Sequence, residues 1–126
     1  MKLMKLDKYR KTVVAALEDI KAEDIEILDV SKLSSLFDTM IIASADSTRQ
    51  VKALANNVAV KVKEIGGTVY GVEGEQTGEW VLVDLGDVVV HIMQPAVRAY
   101  YNLEQLWGAA EKKKAGRAEK KAATEQ

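Results

Sequence analysis

Apolar positions along this chain fall first into a helical stripe and then into short runs of alternation. Val13, Leu17 and Ile20 follow the i, i+4, i+7 spacing of one buried helix face, and Asp7 can cap a first helix running to about Lys21. Ile25 to Val30 (IEILDV) and Thr39 to Ala45 (TMIIASA) are short and rich in strand formers, which predicts two strands separated by the polar connection SKLSSLFD. In SADSTRQVKALANNVAVKVKEIGG a second helix is predicted from the stripe Val51, Leu54, Val58, Val62 and Ile65. Asp46 or Ser47 can cap it, and Gly66 and Gly67 supply a left-handed stop. A third strand is expected over Thr68 to Val72, followed by a loop with Glu73, Gly74, Glu75 and Gly78.

EWVLVDLGDVVVHIM reads as two strands joined at Gly86-Asp87, because glycine suits the first central position of a type II′ hairpin turn. Pro95 ends the last strand and opens a third helix over PAVRAYYNLEQLW. The expected order is α-β-β-α-β-β-β-α, an α/β domain with a five-stranded mixed sheet. Its boundaries are set at residues 1–107. Residues 108–126 are rich in Lys and Ala and lack large apolar side chains, so a frayed helix or solvated, mobile tail is expected there.

The hairpin has two unlike faces. A two-residue turn pairs Leu85 with Val88, Val83 with Val90 and Val81 with Ile92, all aliphatic. The alternate positions pair Asp84 with Val89, Leu82 with His91 and Trp80 with Met93, mixing large apolar and polar groups as a recognition surface does. Trp80 is the leading candidate anchor, since truncating a central interface tryptophan often costs about 2 kcal/mol or more. If helices cover both sheet faces, Trp80 is core instead; the pattern leaves both readings open.

Composition narrows the functional classes. The chain has 126 residues, 48% apolar and 29% charged, an ordinary balance for one globular domain, and no apolar run is long enough to span a membrane. Asp7, Lys8, Arg10 and Lys11 interrupt any signal-peptide core, so a cytoplasmic protein is expected. With no cysteine there is no disulfide framework, thiolate metal site or cysteine nucleophile. The net charge is −1, but the residues from 111 onward hold six Lys/Arg against three Asp/Glu, leaving the body acidic at −4. Such a body does not attract phosphate over long range, so direct DNA binding is not expected and a protein partner is.

Candidate chemistry is sparse. His91 is the sole histidine and has no second soft ligand beside it, which favours a structural or interface role over acid/base or metal chemistry. Asp84 and Asp87 flank the turn, where turn formation accounts for Asp87 more simply than a cation site. GVEGEQTG lacks the Gly-Lys-Ser/Thr ending of a phosphate loop. Ser44, Asp46, Ser47, Thr48 and Arg49 could hold an anion at a helix start, although capping explains the same residues. No catalytic residue, cofactor or metal is assigned.

DTMIIASADSTRQVKALANNV, GVEGEQTGEWVLVDLGDVVVHIM and the closing R-x-Y-Y-N-L-E-Q-L-W together resemble the RsfS/Iojap family over about residues 7 to 107. The resemblance implies a non-enzymatic ribosomal silencing factor that binds the large ribosomal subunit through its protein number fourteen, blocks joining of the small subunit, and represses translation when nutrients are short. It also implies a fold similar to a nucleotidyltransferase core without that chemistry, and this chain has no paired Asp-x-Asp after a Gly-Ser turn. Carried over by position, the partner surface falls around Trp80 and the hairpin after it, and the expected contacts are Trp80, Leu82, Asp84, Leu85, His91 and Met93. An apolar patch awaiting a partner also predicts a homodimer in the free protein. The competing reading is a nucleotide-binding or nucleotidyltransferase-like enzyme, motivated by the fold similarity and by Asp84 and Asp87.

Overall fold

Two amphipathic helices create the larger of two cores. In the computed structural model, which describes residues 2–108 and 111–113, α1 spans Lys2–Asp19 and buries Leu6, Tyr9, Val13, Ala16 and Leu17 along one side. It begins earlier than Asp7, which therefore lies inside the helix and pairs with Lys11 one turn on at 3.3 Å. α2 spans Thr48–Glu64 and starts as its sequence dictates: the Ser47 hydroxyl accepts the Gln50 N–H at 3.1 Å, and Val51, Leu54, Ala55, Val58 and Val62 are buried. The helix stops where Gly66 takes a φ of +83°, open to a residue without a Cβ at little cost. Asn57 and Gln50 donate side-chain hydrogen bonds to the Ala16 and Ile20 carbonyls, at 2.8 and 2.9 Å, and so stitch α2 to the end of α1.

The sheet strands are β1 (Glu23–Asp29), β2 (Thr39–Ser44), β3 (Gly71–Glu73), β4 (Trp80–Asp84), β5 (Val88–Met93) and β6 (Glu111–Lys113), ordered β3-β4-β5-β2-β1-β6. The mixed sheet expected from the sequence is present, with β2 parallel to β5 and the remaining pairs antiparallel. The five expected strands gain a short sixth, in which Glu111–Lys113 pairs with Asp29–Ile27 of β1. The third strand lies further along than Thr68 to Val72, because the Thr68 N–H donates instead to the Tyr9 hydroxyl at 3.0 Å.

Hairpin register follows the alternation residue for residue: Trp80 faces Met93, Leu82 faces His91, and Asp84 faces Val89. Val81, Val83, Leu85, Val88, Val90 and Ile92 are all buried beneath α1 and α2. Burying a side chain of this size contributes roughly 1.5–3 kcal/mol, so this face commits the hairpin to one register. β2 is buried on both faces, with Ile41 and Ala43 entering the helical core and Met40 and Ile42 the opposite one.

That second, smaller core joins Leu28, Val30, Met40, Ile42, Met93 and Leu103. It is covered by α3 (Pro95–Tyr101) and α4 (Leu103–Leu106). The third predicted helix is thus broken at Asn102, which adopts left-handed angles of φ 48° and ψ 60° and accepts the Gln105 N–H on its own side chain. Arg98 anchors this cover from below. Its guanidinium donates to the Ser44 hydroxyl at 2.8 Å, to Glu104 at 2.9 Å and to Glu26 at 3.3 Å.

Candidate functional site

α3 and α4 cover only part of the second sheet face. The uncovered part is an open groove of about 560 Å³ lined by Leu36, Phe37, Tyr70, Leu82, Asp84, Val89 and His91. Backbone hydrogen bonds position its walls. The Asp38 and Thr39 N–H groups both donate to the Asp87 carbonyl, at 2.8 and 3.0 Å, which ties the loop carrying Leu36 and Phe37 to the hairpin turn. On the other side the Tyr70 N–H donates to the Asp84 carbonyl at 2.8 Å, and the Tyr70 ring lies over Gly86. Gly86 has a φ of +89°, and a Cβ there would come within 2.9 Å of that ring, so glycine is required twice over.

Of the six residues expected to meet a partner, Trp80, Leu82, Asp84 and His91 are half-buried on the open face. Leu85 and Met93 are corrected: at 2% and 0% exposure they lie inside the chain. Leu85 points to the α1–α2 core, being on the aliphatic side of the hairpin, and Met93 is roofed by α3 and α4. Sequence reasoning put Val89 on this face without counting it among the contacts, and passed over Leu36, Phe37 and Tyr70. A signal existed in SKLSSLFD, where the adjacent pair Leu36 and Phe37 interrupts a mainly polar connection, and Leu36 is 83% exposed.

Aromatic rings run from the groove to the edge of the sheet. Trp80 donates its indole N–H to His91 Nδ1 at 2.9 Å, and its ring lies 4.8 Å from that of Tyr101, which meets Tyr100 edge-on at 5.0 Å. Beside Trp80, Tyr100 and Tyr101 a second open groove, of about 310 Å³, is completed by Thr77, Glu79, Ala96 and Val97.

Accepting at Nδ1 fixes the neutral His91 tautomer with its proton on Nε2. Burial lowers its pKa to about 4, which keeps the ring neutral near pH 7 and unlike a base poised for proton transfer. The sign for stability follows directly: between pH 6.5 and 4 the unfolded chain binds a proton that the folded chain refuses. His91 therefore leaves stability unaffected above pH 6.5 and lowers it as the pH falls toward 4. Urea denaturation is expected to show a loss of about 2 kcal/mol from pH 7.5 to pH 5; an equally steep decline in His91→Gln would assign it to another group.

The two aspartates of the turn act differently from one another. The Asp84 carboxylate accepts the Gly86 N–H at 2.9 Å, whereas Asp87 acts through its carbonyl. Among the described residues no cluster of three or more His, Cys, Asp or Glu has the arrangement of a metal site. Along the sequence, the segment between Lys63 and Arg98 carries six acids, Glu64, Glu73, Glu75, Glu79, Asp84 and Asp87, and no lysine or arginine. Arg98 itself is turned inward.

Comparison with known proteins places this geometry in a family. The family described as "Ribosomal silencing factor during starvation" (RsfS) matches residues 4–126, which includes the tail beyond Trp107. The Ribosomal silencing factor RsfS of Chromobacterium violaceum is 61% identical over 105 residues, covering 83% of this chain and 86% of that one. A crystal structure of a C. violaceum protein, 62% identical, superposes with a TM-score of 0.80 over 81% of this chain and 85% of that one. A mouse protein named "Mitochondrial assembly of ribosomal large subunit protein 1" is 31% identical over 98 residues, which is 75% of this chain and 43% of that one. The chain belongs to the RsfS family of ribosomal silencing factors.

Proposed function

We propose that this protein docks on the large ribosomal subunit through its open sheet face, meets that subunit's protein number fourteen there, and prevents small-subunit joining by its bulk. Translation then falls when nutrients are short. The observation that carries the reading is the half-uncovered sheet, where apolar Leu36, Leu82 and Val89 line one groove with half-buried His91, which is hydrogen-bonded to half-buried Trp80 of the groove beside it. A large open apolar face flanked by aromatic side chains is the anatomy of a protein interface. The acidic segment that supplies β3, β4 and β5, without lysine or arginine, favours a protein patch over the phosphate backbone that dominates a ribosomal surface. The name of the mouse relative, which concerns the ribosomal large subunit, agrees with that target.

The mechanism needs no turnover, so we read the protein as a steric factor and not an enzyme. Its place is the cytoplasm, where bacterial subunits join; among the described residues no helix is long and apolar enough to cross a membrane. The same exposed groove favours self-association, and we propose that a second copy covers it in the free protein and is displaced on docking.

Co-sedimentation with purified large subunits tests the reading. Wild type is expected to pellet and Trp80→Ala to remain in the supernatant, with circular dichroism showing both folded. Loss of the indole removes the contact to Tyr101 and the hydrogen bond to His91 together. Failure of the wild type to pellet would sink the proposal.

A further inference from the structure

We infer that the groove between Trp80, Tyr100 and Tyr101 is a socket for a cationic side chain, an arginine presented by the partner; this rests on the docking reading above and specifies the chemistry of what is docked. Three rings meet there at different angles. Trp80 and Tyr101 are inclined at 49° and Tyr101 and Tyr100 at 85°, which makes a corner with several ring surfaces in place of a flat stack. Ala96 and Val97 supply apolar walls, and the exposed acid Glu79 is among the lining residues.

The chemistry of this lining selects by charge. Trp80 directs its N–H away to His91, so the tryptophan offers the groove ring surface and no donor. Ring faces attract cations through their quadrupole, most strongly those of tryptophan, and a nearby carboxylate adds to that attraction. Among the described residues no cation pairs with Glu79. An anion such as a nucleic-acid phosphate would be repelled by the charge of Glu79. The segment from Glu64 to Val97, which supplies Thr77, Glu79, Trp80, Ala96 and Val97 to the lining, holds no lysine or arginine.

Arginine fits better than lysine. A planar guanidinium stacks on an aromatic face while its edge N–H groups reach a carboxylate, whereas an ammonium must give up a tighter hydration shell. Tyr100 is 80% exposed and Tyr101 53%, so both rings are free to receive a side chain without the fold opening. The socket is linked to the larger groove by the hydrogen bond from Trp80 to His91, so an arginine-bearing protein segment can lie across both.

The test uses the full chain and two readouts. A blocked tri-arginine peptide is titrated into labelled protein while the Trp80 indole N–H resonance is followed, beside the same peptide with citrulline replacing arginine. The arginine peptide is expected to move the resonance and citrulline, equal in shape but neutral, to leave it. Co-sedimentation with large subunits is then measured for wild type, Glu79→Gln and Tyr100→Ala, each checked for an unchanged melting temperature. Each variant is expected to bind about ten-fold more weakly. Equal movement by both peptides, or no movement by either at millimolar concentration, overturns the socket, as does wild-type affinity in both variants. If the wild type itself fails to pellet, the docking reading falls while the peptide titration still decides the socket.

Discussion

Leu82→Arg is expected to weaken large-subunit binding by about two orders of magnitude and to leave the fold intact. Leu82 lines the groove on the half-buried side of β4, while its neighbours Val81 and Val83 enter the core. An arginine there extends into solvent in the free protein, so its cost to folding is small. In the complex the same charge must be desolvated against apolar contacts, and a buried charge without a partner costs several kcal/mol. A basic partner patch adds repulsion. Co-sedimentation across a range of protein concentrations measures the loss, and thermal denaturation should place the variant within a few degrees of wild type. Binding at wild-type strength would move the docking surface off this face.

The second large effect concerns stability. Arg98→Ala is expected to cost about 3–5 kcal/mol, the magnitude found when one partner of a buried ionic network is removed. Arg98 joins β2, β1 and α4 through Ser44, Glu26 and Glu104, and its loss leaves two partly buried carboxylates close together without their cation. Burial raises the Glu104 pKa, but the hydrogen bond and charge of Arg98 outweigh this and hold it below the ordinary 4.5. A depressed carboxylate pKa gives stability that is present above the ordinary value and lost as the pH falls through the folded one. The deficit of Arg98→Ala relative to wild type should therefore narrow on acidification below pH ~4.5. Guanidinium denaturation at pH 7 and pH 3.5 checks both statements. Replacing all three groups, as Arg98→Met with Glu26→Gln and Glu104→Gln, should recover a large part of the loss, since no charge is then left uncompensated.

The parts of the fold that were legible in the sequence are those governed by strict periods. The β4–β5 register follows from a two-residue turn and a side-chain period of two, and α2 from its stripe, its Ser47 cap and its glycine stop. Where several local solutions compete, sequence reading went astray. Asp7 was a credible cap, yet α1 continues upstream to Lys2, because capping residues also occur inside helices. The apolar spacing across residues 95–107 is continuous and hides the break at Asn102, which one short amide side chain makes tolerable in a left-handed conformation.

The candidate site was half legible for the same reason. Alternation identified Trp80, Leu82, Asp84 and His91 as one surface. It could not reveal that Met93 on the same face is roofed, because that depends on how far α3 and α4 reach across the sheet. Nor could it bring in Leu36, Phe37 and Tyr70, which arrive through backbone hydrogen bonds of loops that have no period at all.

The hairpin turn at Gly86-Asp87 has a consequence for how this protein can change over time. Each side chain of β4 and β5 is sent to the α1–α2 core or to the opposite sheet face by the parity of its distance from that turn. Substitutions alter one address at a time and leave the others standing. A single residue inserted between Asp84 and Val88 shifts that parity for one whole strand, delivering His91 and Val89 toward the helices and Val90 and Ile92 to the surface unless a bulge absorbs it. Evolution of the docking face is thus free in its letters and rigid in its spacing.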